Sequence, residues 1–235
     1  MKVKTELAAS PASLGTYSIP SAVLYILATT TNGSKSGLTP RHLYHWTKDG
    51  LAGGYLVGIR NKHLFINFKD LITLRVIATM RAKGMKHTEI MIAEKELKKR
   101  YNCDYPFATM EFWTAPPKDI FVKERGILLS ASRHFQSALD FFEQYVQSSH
   151  NMTFDMFGLS ATWRPCNNVL FDPLIQYGEP CIEGTRIPTQ VVWSFYEAGD
   201  SIDSLSHFYG VQSGRIKDAI DWENHIQEVA KPRKQ

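Results

Sequence analysis

The run YGEPCIEGTRIPTQVVWSFYEAG, residues 177–199, carries two prolines and three glycines ahead of an apolar helical stretch. It reads as a strand, a turn and a helix in succession. Phe171 to Ile175 is the expected strand. Gly178-Glu179-Pro180 turns the chain, and Gly184 supplies a positive φ or a close backbone approach. Pro188 sits in the first turn of a helix expected to bury Val191, Val192 and Phe195 and to end at Gly199. Arg186, just before that helix, is open to three roles. It can tie the loop to Glu183, Asp172 or a carbonyl, it can contact a partner protein, or it can meet a phosphate. The phosphate role lacks the lysine and repeated glycines that a phosphate loop uses.

Downstream, Ile202–Tyr209 and Gly214–His225 read as helices joined by Gly210-Val211-Gln212-Ser213. Ser206, Gly210 and Ile216 stand where a helix-turn-helix needs a small residue, a glycine and a buried branched residue. The last helix sets Arg215 and Lys217 against Asp218, Asp221 and Glu223, the wrong charge for a phosphate backbone. Residues 169–228 are therefore expected to bind protein and to self-associate, with a basic tail over 229–235.

Upstream, Ile19 to Ala28 is apolar and reads as a helix with Ser18 as its cap. Thr39 and Pro40 start a second helix, PRHLYHWTKDG, on which Leu43 and Trp46 share one face. Thr39, Arg41, His42, Tyr44, His45 and Lys48 are left facing outward. Residues 55–68, YLVGIRNKHLFINF, read as a hairpin with Arg60, Asn61, Lys62 and His63 at its tip. Asn67 with Asp70 forms a reciprocal cap for a helix that ends at Gly84. A further helix carries Ile90, Ala93 and Leu97 on one face. Strands are expected at EFWTA, DIFVKE and ILLSAS within 111–132, then a helix over 134–146. Residues 148–168 show neither helical nor strand periodicity and are expected to be a linker.

Charge is divided along the chain. Residues 1–110 hold 16 Lys and Arg against 7 Asp and Glu, a net of +9, and residues 111–235 hold 11 against 16, a net of −5. A basic half attracts polyanions. A helix, a turn, a helix and a basic-tipped hairpin is the order of a winged helix-turn-helix, whose recognition helix enters the major groove. The hydrophobic fraction of 43% suits a globular protein, and no apolar run reaches the length of a membrane span. The three cysteines, Cys103, Cys166 and Cys181, form no CxxC pair and have no histidine at ligand spacing. No HExxH, GxSxG or Walker-type signature is present. The expectation is a cytoplasmic protein without metal or cofactor, and not an enzyme.

Two resemblances extend this reading. TPRHLYHW, the hairpin, LFINFKDLITLRV and RAKGMKHTEI resemble the MerR-like winged helix family over residues 17–101. FDPLI, GEPCIEGTRIPT, AGDSIDSL and GVQSGRIKDAIDW resemble the VapB-like antitoxins of type II toxin–antitoxin systems over residues 169–226. Together they imply a mainly α fold with small β elements. Its order is a flexible arm (1–16), a DNA-binding domain (17–104), a strand-rich segment with a helix (105–147), the linker, and an antitoxin and dimerisation domain. They also imply operator DNA, a PIN-like ribonuclease toxin and a homodimer as partners. Arg186, Glu183, Arg233 and Lys234 are the expected toxin-facing or clasp residues. The alternative is a MerR-like regulator without a toxin, answering a ligand held in the 111–146 region.

Overall fold

The computed structural model describes residues 15–30, 38–51, 64–82, 84–114 and 151–231. The architecture is helical in the main, with two small antiparallel sheets. The helix starts follow their capping chemistry. Ser18 Oγ accepts from Ser21 N at 3.1 Å and opens α1, Ile19–Thr29. Thr39 caps α2, Pro40–Lys48, with Pro40 at its first position. Asn67 Oδ1 accepts from Asp70 N at 2.8 Å, and Asp70 Oδ2 accepts from Asn67 N at 3.2 Å. That reciprocal cap starts α3, Phe68–Ala82, and α4 follows over His87–Tyr101.

β1, Tyr17–Ser18, pairs antiparallel with β2, Phe65–Ile66. The expected hairpin tip, Arg60 to His63, lies outside the described residues, as do the expected strands and helix beyond 114. The first of those strands begins differently. Residues Met110–Thr114 form a short helix, α5. Thr109 Oγ1 accepts from Phe112 N at 3.2 Å and so caps a helix at this point. Phe112 and Trp113 are adjacent and both buried, which an alternating strand would not allow.

The expected linker is a second correction. β3, Met152–Phe154, and β4, Ser160–Cys166, lie within it, and with β5, Val169–Phe171, and β6, Cys181–Ile182, they make a sheet in sequence order. Asp155 Oδ1 accepts from both Phe157 N and Leu159 N at 2.9 Å and folds the β3–β4 turn. Register shifts fall at Thr153/Phe154 and between Trp163 and Cys166, which is why no alternation shows in the sequence. The strand expected at Phe171–Ile175 instead ends at Phe171, because the Asp172 carboxylate accepts from Leu174 N and bends the chain. Thr16, expected within the arm, is held in place: its N donates to the Tyr177 carbonyl at 2.8 Å.

α6, Thr189–Glu197, α7, Ile202–Tyr209, and α8, Ser213–Ala230, complete the chain. Two apolar cores result. The larger joins α1 to α5 with Met152, Trp163, Val169 and Phe171 of the second sheet. The smaller lies among Ile182, Val192, Leu205, Val211 and Ile216. α8 belongs to both. Its Ile216, Ala219 and Ile220 fill the smaller core, while Trp222 and Ile226 reach the larger one. The Trp222 ring stacks on Tyr25 of α1 at 6.5 Å between centroids and meets Phe171 edge to face at 6.1 Å. The expected boundary near residue 169 therefore cuts through one continuous core.

Candidate functional site

α2 is amphipathic in fact as in sequence. Leu43 and Trp46 are buried, and Thr39, Arg41, His42, Tyr44, His45 and Lys48 are all exposed. Thr39 Oγ1 lies 3.2 Å from His42 Nδ1, and the His42 ring stacks on Trp46. That packing orders His42 at the start of the helix. The far end is anchored to α4. Asp49 Oδ2 lies 3.5 Å from His87 Nε2, and Lys98 Nζ donates to the Gly50 carbonyl at 3.5 Å. Lys98 also meets Glu94 at 3.1 Å. Glu94 is buried, and desolvation pushes its pKa to about 7 despite that lysine. Helical spacing alone could not place Lys98 at the end of α2.

The motif loop is built around a left-handed run. Gln176, Tyr177 and Gly178 have φ of 48°, 56° and 90°. The Tyr17 hydroxyl, itself buried, donates to the Gly178 carbonyl at 2.8 Å. Gln176 Nε2 donates to the Arg186 carbonyl at 3.0 Å. Thr185 Oγ1 donates to the Ile182 carbonyl at 2.7 Å and accepts from Ile187 N, closing the turn before α6. Thr189 Oγ1 donates to Glu223 of α8.

The clasp is made by a residue the sequence reading passed over. Glu183 pairs with Arg164 of β4 through both guanidinium arms, with Nε to Oε2 at 2.9 Å. Arg186 is exposed, and among the described residues its side chain makes no hydrogen bond or ion pair. The expected tie to Glu183 or Asp172 is therefore absent from Arg186, since Arg164 already satisfies Glu183. Arg233 and Lys234 lie outside the described residues.

The turn between α7 and α8 has the expected internal supports. Gly210 caps α7 with φ of 62°, Ser206 Oγ donates to the Val211 carbonyl at 2.7 Å, and Ile216 is fully buried. The apolar face of α6 departs from expectation. Val192 is buried, but Val191 and Phe195 are 39% and 45% exposed, and Phe208 of α7 is 77% exposed. Only Val192 of the three points into the small core; Val191 and Phe195, expected inside, do not. Val191, Phe195 and Phe208 thus leave apolar side chains facing solvent.

Thiol chemistry is disfavoured here. Burial and nearby carboxylates push Cys166 to about 11 and Cys181 up to about 12, so both stay protonated at neutral pH. Among the described residues no group of three His, Cys, Asp or Glu is placed to hold a metal ion, and no helix is long and apolar enough to cross a membrane.

Comparison with known proteins agrees with the geometry at the level of fold. Residues 169–222 match the family model described as a protein of unknown function, DUF433. No curated protein matches the chain. The X-ray crystal structure of Rv2018 from Mycobacterium tuberculosis superposes with a TM-score of 0.69 at 18% identity, covering 87% of this chain and 96% of that one. At that identity the likeness is one of fold.

Proposed function

We propose that the chain is a DNA-binding antitoxin. In this reading a winged helix-turn-helix reads operator DNA through α2, and the C-terminal domain holds a PIN-like ribonuclease toxin and a second copy of the chain. The observation that carries it is the outward face of α2. Arg41, His42, Tyr44, His45 and Lys48 project from a helix fixed by Leu43 and Trp46 beneath and by Lys98 at its end. Arginine, histidine and tyrosine supply donors for base edges and phosphates. The hairpin tip with Arg60, Asn61, Lys62 and His63 would add backbone or minor-groove contacts.

Arg186 and the exposed Val191, Phe195 and Phe208 support the partner-binding part. An exposed guanidinium without a partner among the described residues, and exposed apolar side chains, are groups that an acidic nuclease partner could use. On the outer face of α8, Asp218, Asp221 and Glu228 outnumber Arg215 and Lys217, which argues against DNA there. The test has two arms. Binding of the upstream DNA of its own operon is measured by fluorescence anisotropy across a salt series. Co-purification from the native operon then asks for a small nuclease. Salt-independent or absent DNA binding would remove the first part, and purification without any nuclease would remove the second.

A further inference from the structure

Glu223 lies on the apolar stripe of α8 and is only 5% exposed. Its Oε1 accepts from Thr189 Oγ1, and its Oε2 has no hydrogen-bond partner among the described residues. The side chain lines a cleft of about 140 Å³ at the seam of the two halves, together with Ser21 and Tyr25 of α1, Glu179 and Pro180 of the motif loop, and Gln227 of α8. Among the described residues, the cleft wall carries two carboxyl groups, hydroxyls and amides, with no lysine, arginine or histidine.

A buried carboxylate without a cation is costly. Burial raises the Glu223 pKa, the Thr189 hydrogen bond opposes this, and the Glu179 charge adds to the rise. The Tyr25 hydroxyl is pushed up as well, by burial first and then by Glu223 and Glu179. Two carboxyl groups thus face one cleft beside a neutral phenol, and among the described residues that line it no basic side chain offsets them. An anion is disfavoured there. With no third ligating side chain within reach, a metal ion is poorly served.

We propose that this cleft binds a small organic cation, an alkylammonium or alkylguanidinium, with its N–H donors on Glu223 Oε2 and Glu179 and its alkyl stem on Leu24 and Ile226. The site is independent of the DNA and toxin reading. Its ligand touches α1, α8 and the motif loop together, so occupancy fastens the N-terminal half to the C-terminal domain.

The experiment titrates the full-length protein with n-butylammonium chloride and n-butylguanidinium chloride, with sodium chloride and n-butanol as controls. Thermal shift and calorimetry are the readouts. At least one cation gives a saturable rise in Tm, with Kd on the order of 1 mM, and neither control does. Glu223→Gln and Glu179→Gln each weaken binding by about tenfold or more. Affinity rises with pH as Glu223 ionises, and a proton is released on binding. No saturable response to either cation overturns the proposal. So does an equal response to butanol, or unchanged affinity in a folded Glu223→Gln protein. If Glu223→Gln does not fold, Glu179→Gln decides alone.

Discussion

Replacing Gly178 by alanine tests how the motif loop is held. A Cβ at this position would lie 2.3 Å from Tyr17 Oη, 2.9 Å from Tyr17 Cζ and 3.2 Å from Gly15 Cα. Tyr17 has little room to retreat. It is buried, and Tyr25 and Phe171 each lie 6.3 Å from its ring. The backbone also sits at φ 90°, outside the range that alanine prefers. The conformational term costs about 1 kcal/mol. Displacing the Tyr17 hydroxyl leaves a buried donor and the Gly178 carbonyl unpaired, worth roughly 1–3 kcal/mol more. The expected total is about 2–4 kcal/mol. With a urea slope of about 2–3 kcal/mol/M, the midpoint falls by roughly 1 M. Urea unfolding followed by circular dichroism measures it. Tyr17→Phe removes the nearest atom, so the alanine should cost less in that background. A midpoint shift under about 0.2 M, or additive single and double mutants, would refute the reasoning.

The remaining predictions concern charge. Arg41→Ala and Lys62→Ala each weaken binding to the upstream DNA and lower the salt slope by about one, read by anisotropy; intact binding in both would remove the winged-helix assignment. Arg164→Ala loosens the loop around Glu183 by about 1 kcal/mol or less, since the pair is part-exposed, whereas Arg186→Ala leaves stability unchanged and weakens partner capture instead. Glu94 makes stability fall as pH rises. Its folded pKa of about 7 exceeds its unfolded value near 4.5, so the folded state binds the extra proton between them. The loss is on the order of 3 kcal/mol across that window, and Glu94→Gln flattens the curve in urea titrations at pH 4.5 to 8. Deleting residues 231–235 reduces toxin inhibition in a nuclease assay if the tail reaches the toxin's carboxylates; unchanged inhibition assigns that contact elsewhere.

Local chemistry was readable and distant pairing was not. Ser18, Thr39 and the Asn67–Asp70 pair announce their helices, because a cap is satisfied within three residues. β3 and β4 were hidden because two register shifts erase the alternation that would reveal them. The Arg164–Glu183 clasp joins residues whose meeting depends on that hidden sheet, so Arg186 drew attention in its place. Glu223 left a trace: it falls on the same helical stripe as Ile216, Ala219, Ile220 and Ile226. A carboxylate among those apolar positions was a sign of an unusual environment. The outward side chains of α2 were legible because Leu43 and Trp46 fix the opposite face.

The double membership of α8 limits how this protein can be divided. A C-terminal fragment cut at residue 169 keeps the small core but strips Trp222 and Ile226 of α1, leaving an apolar band open to water. An N-terminal fragment loses the same two side chains from its own interior, at a cost of about 3–5 kcal/mol for the tryptophan alone. Neither piece is a natural unit for expression or for grafting onto another protein. Swapping the C-terminal module between relatives would require carrying the matching surface of α1 with it.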